Sequence, residues 1–264
     1  MGYIKSLKKF SINEDEIRVN PATAGEDMGA ILAANKDVKE VGGDNKGPDV
    51  EKYLKSVGLE AGQPWCMSFV YYVFEELVKK MGKNNPLPKT GGVMLHWKKG
   101  DPALKVLGKD AKTNPALVKP GQIFFLDTGG GHGHAGIVIS VDTKDKTFNA
   151  IEGNSNEEGS REGKEVSIKK RKIDDPRLLG LLDYFKSSRT PEFEADLAKN
   201  LNLPTSTISR LGTASGTSAT APAESDSPSS SFSSNLLTGI VQSLRPGSSE
   251  ITPDQISAAL KGLK

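Results

Sequence analysis

The sequence has 264 residues, of which 36% are hydrophobic, and it carries 35 Lys and Arg against 33 Asp and Glu. This hydrophobic content is low for a chain that is packed throughout, so we expect part of the chain to lie outside a folded core. The near balance of charge, without a long block of one sign, argues against nucleic acid as the main partner. No stretch approaches the roughly eighteen consecutive apolar residues of a membrane span.

The N-terminal sequence MGYIKSLKKFSINEDEI is basic but has no apolar segment behind it. A signal peptide for secretion is therefore not predicted, and the protein is expected to be cytoplasmic on synthesis. Residues 1–34 are predicted to be an N-terminal extension. The apolar spacing of Met28, Ile31 and Leu32 indicates a short helix within it.

Two amphipathic helices are predicted next. The first lies in DVEKYLKSVGL, which follows Pro48 and repeats apolar residues at spacings of three and four. The second, CMSFVYYVFEELVKK, begins at Cys66 and ends in Lys79 and Lys80, where positive charge suits a helix end. Cys66 is thus predicted to open a buried helix.

The later segments indicate β-structure. QIFFLD, HAGIVISV, FNAIEG, EVSIKKRK and LLGLLDYF are short, rich in branched or aromatic residues, and separated by Gly, Asp and Asn turns. They predict an antiparallel sheet of about five strands. Helices followed by a run of strands indicate an α+β fold.

The composition changes beyond the last predicted strand. Residues 187–204 are predicted to hold a short helix, and residues 205–233, rich in Ser, Thr, Ala and Pro, a disordered linker. Residues 234–264 are predicted to form short amphipathic helices, which bury little apolar surface by themselves. Two alternatives stay open for them: docking on a protein partner, another copy or the main domain, or a weakly structured solubility tail.

Cys66 is the only cysteine, so it is either a packed apolar residue or a reactive thiol. A position in the first turn of a helix favours the thiolate, because unpaired backbone N–H groups and the helix dipole stabilise an anion. The same N–H groups, with help from Gln63, are suited to bind the oxyanion of a tetrahedral intermediate.

A base for this thiol must be one of three histidines. In GGGHGHAGIVISV, His134 opens a strand beside a glycine-rich loop and shares a strand face with Gly136. His132 either lines a cleft or is simply solvated. His96 is expected to be a partly packed structural residue or to flank the cleft.

A third segment, AIEGNSN, follows through the turn DTKDKT. An antiparallel pairing through that turn brings Glu152 and Asn154 beside the His134 strand, and the spacing of two points both side chains the same way. A carboxylate or amide there is suited to hold one ring nitrogen and leave the other for the thiol. A polar strand end is the alternative.

The motifs WCMSFV, PGQIFFLD, GHAGIVISV and IEGNSN, in this order, resemble the CHAP domain (cysteine, histidine-dependent amidohydrolase/peptidase) of the papain-like NlpC/P60 superfamily. The resemblance covers about residues 35–186. It implies a papain-like fold and a peptidoglycan hydrolase, either an amidase cutting between sugar and peptide or an endopeptidase. It also implies that Cys66 is the nucleophile, His134 the general base and later acid, Glu152 the orienting residue and Asn154 a supporting one.

The predicted substrate-binding residues are Gln63, Trp65, Trp97 and His132. No cofactor is predicted. Some CHAP domains bind calcium through an Asp-rich loop ahead of the cysteine, but Asp44, Asp49 and Glu51 do not form such a loop, so no metal is predicted.

Two other classes of function stay open. His132 and His134, with Cys66 or Glu152, supply the residue types of a metal site. Alternatively, the chain is a catalytically silent wall-binding or structural component of a phage-tail-like assembly. As a wall hydrolase, it is expected to reach its substrate through lysis, a phage tail or an injection system.

Overall fold

The computed structural model describes residues 21–155 and 163–201. Within these residues the chain forms helices and strands with the following bounds: α1 (Pro21–Asn35), α2 (Pro48–Ser56), α3 (Cys66–Lys80), α4 (Val93–Lys99), β1 (Lys105–Leu107), α5 (Gly108–Thr113), β2 (Ile123–Gly129), β3 (His132–Asp142), β4 (Thr147–Ser155), β5 (Glu165–Lys172), β6 (Leu178–Leu182) and α6 (Pro191–Asn200). Short 3₁₀ turns lie at Pro102–Leu104 and Pro115–Leu117.

The strands form one antiparallel sheet in the order β1-β6-β2-β3-β4-β5. Five of them lie where the sequence predicted strands, and the helix that starts at Cys66 packs on the sheet. The predicted α+β fold is thereby confirmed. Strand β1 was not predicted, because three residues are too few to show an alternating pattern.

Helix α3 anchors the core on one face of the sheet. It is apolar almost all round, which is the pattern of a buried helix. Its buried side chains join those of five strands in one cluster, which includes Phe69, Val70, Val73, Phe74 and Leu77 of the helix and Ile123, Ile137 and Ile151 of the sheet. This burial fixes the position of the first residue of the helix.

The opposite face of the sheet is also covered. A second cluster contains Phe124, Leu126, Val138, Phe148 and Leu181 of the sheet and Ala111 of α5. Alternate residues of β2 therefore enter different clusters, and the strand is apolar on both faces. This explains why QIFFLD shows an unbroken apolar run rather than an alternation.

Helices α1 and α6 pack against each other and on the same core as α3. Met28 and Leu32 of α1 and Phe193 and Leu197 of α6 are fully buried. The hydroxyl of Thr190 accepts a hydrogen bond from the Phe193 backbone N–H and caps the start of α6. The helix predicted within the N-terminal extension thus shares its core with the sheet.

The predicted linker 205–233 and the predicted terminal helices in residues 234–264 lie outside the described residues. So do residues 1–20 and residues 156–162, which join β4 to β5. In the part of the chain that the structure describes, no helix combines the length and apolar character needed to cross a membrane.

Helices α1 and α6 approach closely at Gly25, because glycine has no side chain. A Cβ atom on Gly25 would lie 2.3 Å from the Phe193 carbonyl oxygen. We expect Gly25→Ala to lower the free energy of unfolding by about 1–3 kcal/mol through overpacking, although alanine favours a helix over glycine by about 1 kcal/mol. Urea unfolding measures this difference.

Gly29→Ala is the matched control. Its Cβ atom would lie 2.9 Å from Asn200 Cβ and 3.2 Å from the Asp196 carbonyl oxygen, a milder overlap than at Gly25, so this variant should lose less stability than Gly25→Ala. A Gly25→Ala protein as stable as the wild type would contradict the close approach of the two helices.

Candidate active site

Cys66 occupies the first position of α3, at the bottom of an open cleft. Its side chain is nearly buried and forms no disulfide. No side chain caps the start of the helix. The backbone N–H groups of the first turn therefore keep their positive potential, which favours an anion at the Cys66 sulfur.

His134 lies on β3 and interacts with Cys66 and Glu152. Its Nε2 atom is 2.7 Å from Glu152 Oε2, and Cys66 lies close enough to raise the pKa of the same ring. Nδ1 is buried and has no hydrogen-bond partner among the described residues. Since Glu152 occupies Nε2, Nδ1 is the nitrogen left for the thiol.

The charge state of His134 depends on these two neighbours. Burial by itself lowers the pKa of the imidazole, because it disfavours the charged ring. The hydrogen bonds and charges of Cys66 and Glu152 outweigh burial and raise the pKa to about 9. The ring is therefore set to carry two protons at neutral pH, as a partner for a thiolate.

Glu152 is fully buried on β4 and is held by more than the histidine. Arg171 of β5 donates from Nε to Glu152 Oε1 at 2.7 Å and from Nη2 to Oε2. Ser155 Oγ is a weaker donor to Oε2, at 3.4 Å. Burial raises the pKa of the carboxyl group, but the hydrogen bonds from Arg171 and His134 reverse this and hold the pKa below its ordinary value.

Strand pairing brings these residues together. Strands β3 and β4 pair with Ile137 opposite Ile151, as the antiparallel connection through DTKDKT predicted. Glu152 then crosses over Gly136 to reach the imidazole, since a Cβ atom on Gly136 would lie 2.7 Å from Glu152 Cγ. The space beside the histidine is thus filled by the carboxylate side chain.

Asn154 is buried two residues further along β4. It has a positive φ of 52°, which asparagine tolerates better than most residues. The β4–β5 pairing is irregular between Glu152 and Ser155, so strict alternation does not extend from Glu152 to Asn154. Glu152 makes the hydrogen bond to Nε2, and the supporting role of Asn154 stays a prediction.

The cleft beside Cys66 has a volume of about 350 Å³. Gln63 and His132, two of the predicted substrate-binding residues, line it and are exposed. The remaining lining is apolar or glycine: Leu59, Pro64, Val93, Met94 and Leu95, with Gly91, Gly92, Gly131 and Gly133. Among the described residues, none of those that line the cleft is Lys, Arg, Asp or Glu.

Trp65 and Trp97 lie elsewhere, so the structure does not support their prediction as substrate-binding residues. Trp65 is fully buried, and its Nε1 donates to Glu40 Oε1 at 2.9 Å. Trp97 is half-buried against Phe125 and lies under the ammonium group of Lys105. Neither ring lines the cleft, because the core and neighbouring strands take up their surfaces.

His96 is a structural residue of α4. It is fully buried and stacks on Phe125, with ring centroids 5.6 Å apart. Burial lowers the pKa of its imidazole to about 4. In residues 21–155 and 163–201, no group of three or more His, Cys, Asp and Glu side chains is arranged to hold a metal ion.

Arg171 is the site residue that the sequence did not indicate. It lies in the basic run KKRK, which is typical of a solvated strand at a sheet edge. The available signal was its spacing of two from Lys169, which places it on one face of β5 together with that residue. That spacing does not show that the face meets a buried carboxylate.

Comparison with known proteins gives a match to a family model and a likeness to solved structures. Residues 58–154 match the model of the CHAP domain, which confirms the resemblance that the motifs predicted. No curated protein sequence matches the chain. Among solved structures, the crystal structure of the wild type endolysin LysIME-EF1 is 18% identical with a TM-score of 0.39, covering 61% of this chain and 66% of that one.

Displacing Glu152 should change the reactivity of Cys66. We expect Gly136→Ala to displace Glu152 from the imidazole, because the new Cβ atom would also lie 2.8 Å from both Ile151 O and Phe124 Cε1. The variant should lose about 1–3 kcal/mol of stability. It should also react more slowly with iodoacetamide at Cys66, because the imidazolium that favours the thiolate loses its partner.

Gly100→Ala is the control for overpacking away from the site, since its Cβ atom would meet the Leu182 side chain at 2.7 Å. If Cys66 reacts at the wild-type rate in folded Gly136→Ala, the position of Glu152 does not control the thiol.

Proposed function

We propose that this protein is a peptidoglycan hydrolase that cleaves an amide bond with Cys66 as nucleophile. The observation that carries the proposal is the arrangement of Cys66, His134 and Glu152 beside an open cleft. The match to the CHAP domain supports peptidoglycan hydrolysis in general, and the matched residues 58–154 include all three side chains.

The proposed reaction is an acyl transfer. The Cys66 thiolate attacks the carbonyl carbon of the amide, and the negative charge on the oxygen is stabilised by backbone N–H groups at the start of α3 and by Gln63. His134 donates its Nδ1 proton to the leaving nitrogen as the C–N bond breaks, which leaves a thioester on Cys66. His134 then removes a proton from water, the hydroxide attacks the thioester, and the product leaves as a carboxylic acid while the thiolate re-forms.

Glu152 supports both proton transfers. Its hydrogen bond to Nε2 fixes the ring orientation, and its charge stabilises the imidazolium form. Asn154 is proposed to support the same end of the strand. The carboxylate itself stays ionised through the cycle, because Arg171 and His134 both donate to it.

The cleft fits an extended peptide with small, uncharged side chains. Its glycines allow a substrate backbone to approach closely, and among the described lining residues no Lys, Arg, Asp or Glu offers an ionic partner. His132 and Gln63 are the polar groups placed to orient such a peptide. We propose this segment to be part of a wall peptide or its cross-bridge, cut by either an amidase or an endopeptidase activity.

Delivery is a further part of the proposal. The protein is proposed to act on the wall after release by lysis or transfer by a phage tail or injection system. Residues 234–264 are proposed to bind a protein partner or another copy. Deletion of residues 234–264 should abolish that association in sedimentation measurements while leaving wall hydrolysis intact.

The first test is release of soluble fragments from purified peptidoglycan. The wild type should release them, and Cys66→Ala should lower the rate by at least about a thousandfold, as expected when a nucleophile is removed. Mass spectrometry of the new ends distinguishes an amidase from an endopeptidase. Activity that survives a chelator argues against the metal-dependent alternative.

Cys66→Ser is the matched control, because it keeps the shape of the side chain and should bind peptidoglycan without cutting it. If the wild type releases no fragments from walls of several types, yet binds them as the variants do, the protein is a silent wall-binding module instead.

The pKa of His134 predicts the alkaline limit of activity. Because the neutral ring has no proton to give the leaving nitrogen, kcat/KM should fall as the pH rises through about 9. Glu152→Gln removes a negative charge that raises this pKa, so the loss of activity should move to lower pH. A pH series of kcat/KM measures the alkaline limit in the wild type and in Glu152→Gln.

Glu165→Gln, at a partly exposed carboxylate of β5, is the matched control and should leave the alkaline limit in place. An unchanged limit in Glu152→Gln would show that Glu152 does not set the protonation of His134.

A further inference from the structure

Arg171 lies in an unusual place for a basic residue of an edge strand. Strand β5 is the last strand of the sheet and pairs only with β4 among the described strands. Its neighbours Lys170 and Lys172 are exposed, but the Arg171 side chain is only 11% exposed. The side chain turns along the sheet toward Glu152 instead of into solvent.

Arg171 donates hydrogen bonds to both oxygens of the Glu152 carboxylate. Nε donates to Oε1 and Nη2 donates to Oε2, which is the paired geometry that a guanidinium group forms with a carboxylate. The guanidinium carbon lies 5.9 Å from the centroid of the Phe124 ring, which packs against it. Arg171 is therefore fixed at its own end, and it leaves Glu152 little freedom to rotate.

The groups around Glu152 show how its hydrogen bonds to Arg171 affect the rest of the site. Among the described residues, His134 faces it from β3, Arg171 from β5, Ser155 from its own strand and the apolar ring of Phe124 from β2. The imidazole in turn faces the Cys66 thiol. Arg171 is the permanent positive charge in this group, and it is not one of the residues that line the cleft.

We propose that Arg171 is a positioning residue of the active site, which fixes the orientation and the negative charge of Glu152 and through it the His134–Cys66 pair. This inference rests on the proposed roles of these three residues. It adds Arg171 as a fourth residue, which acts on His134 and Cys66 through Glu152. A buried arginine–carboxylate pair also contributes to folding, so the test must separate the two effects.

Loss of the guanidinium charge has a predictable sign. Removing a buried cation raises the proton affinity of every ionisable group near it, here the Glu152 carboxylate, the His134 ring and the Cys66 thiolate. The thiolate–imidazolium pair of Cys66 and His134 exists between an acid limit, where the thiolate forms, and an alkaline limit, where the ring loses a proton. Each limit is a step in the alkylation rate, and both limits should therefore move to higher pH. Glu152→Gln, which removes an anion, should move them in the opposite direction.

The experiment is the pH dependence of Cys66 alkylation by iodoacetamide, measured on the full chain. The single cysteine makes the reaction specific for the site. In Arg171→Met both limits should rise by about one pH unit or more, which is within the effect of one neighbouring charge. Arg171→Lys keeps the positive charge but loses the paired hydrogen bonds to both oxygens of Glu152. Both pH limits should therefore stay near those of the wild type, while the maximal alkylation rate falls.

Arg189→Met is the matched control for folding. Arg189 forms a comparably buried pair with Asp183, which lies outside the group around Glu152, and it also donates to Pro120 O. Its loss should lower stability and leave both pH limits unchanged. Equal shifts in Arg189→Met and Arg171→Met, or no shift in Arg171→Met, would overturn the proposal.

If Arg171→Met does not fold, Arg171→Lys decides the matter. A wild-type maximal rate with wild-type limits in that variant would show that the paired hydrogen bonds are unnecessary. Because alkylation needs no wall substrate, a shifted profile in a protein that fails to cut peptidoglycan would preserve the Arg171 inference and reject the proposed function.

Discussion

The buried carboxylate of Glu152 is the constraint on which the arrangement of the site depends. Removing an ionised carboxylate from water costs several kcal/mol even after the protein relaxes, unless charged and hydrogen-bonding partners offset that cost. Here His134 and Arg171 supply those partners, from the strands on either side. Glycine at position 136 follows from the same requirement, because the Glu152 side chain needs the space that a Cβ atom would occupy.

Helix α3 and the sheet each position one of the two residues of the Cys66–His134 pair. Helix α3 is held by its apolar surroundings and presents Cys66 at its open N-terminal end. The sheet presents His134 through the β2–β3–β4 pairing. A buried ionic network contributes little to stability compared with apolar packing, so this network is better explained by its effect on the orientation and charge of the imidazole.

Much of this arrangement could be predicted from the sequence, because it follows from local periodicity. Apolar spacing of three and four located α3, and alternating strands joined by a short turn placed Glu152 beside His134. Arg171 could not be predicted in the same way, because it lies opposite Phe148, four residues along β4 from Glu152, and the sequence does not show that its side chain extends along the sheet to reach the carboxylate. Trp65 was misplaced for a related reason, since proximity to Cys66 in sequence does not show that an aromatic ring belongs to the core.

¹H–¹⁵N NMR of the histidine rings during a pH titration shows whether Glu152 keeps His134 protonated and oriented toward Cys66. The His134 ring should keep both protons until about pH 9, with Nε2–H in a strong hydrogen bond, while His96 should titrate near pH 4 as an internal reference. A His134 ring that is neutral at pH 7, or that lacks a proton on Nε2, would rule out this role of Glu152.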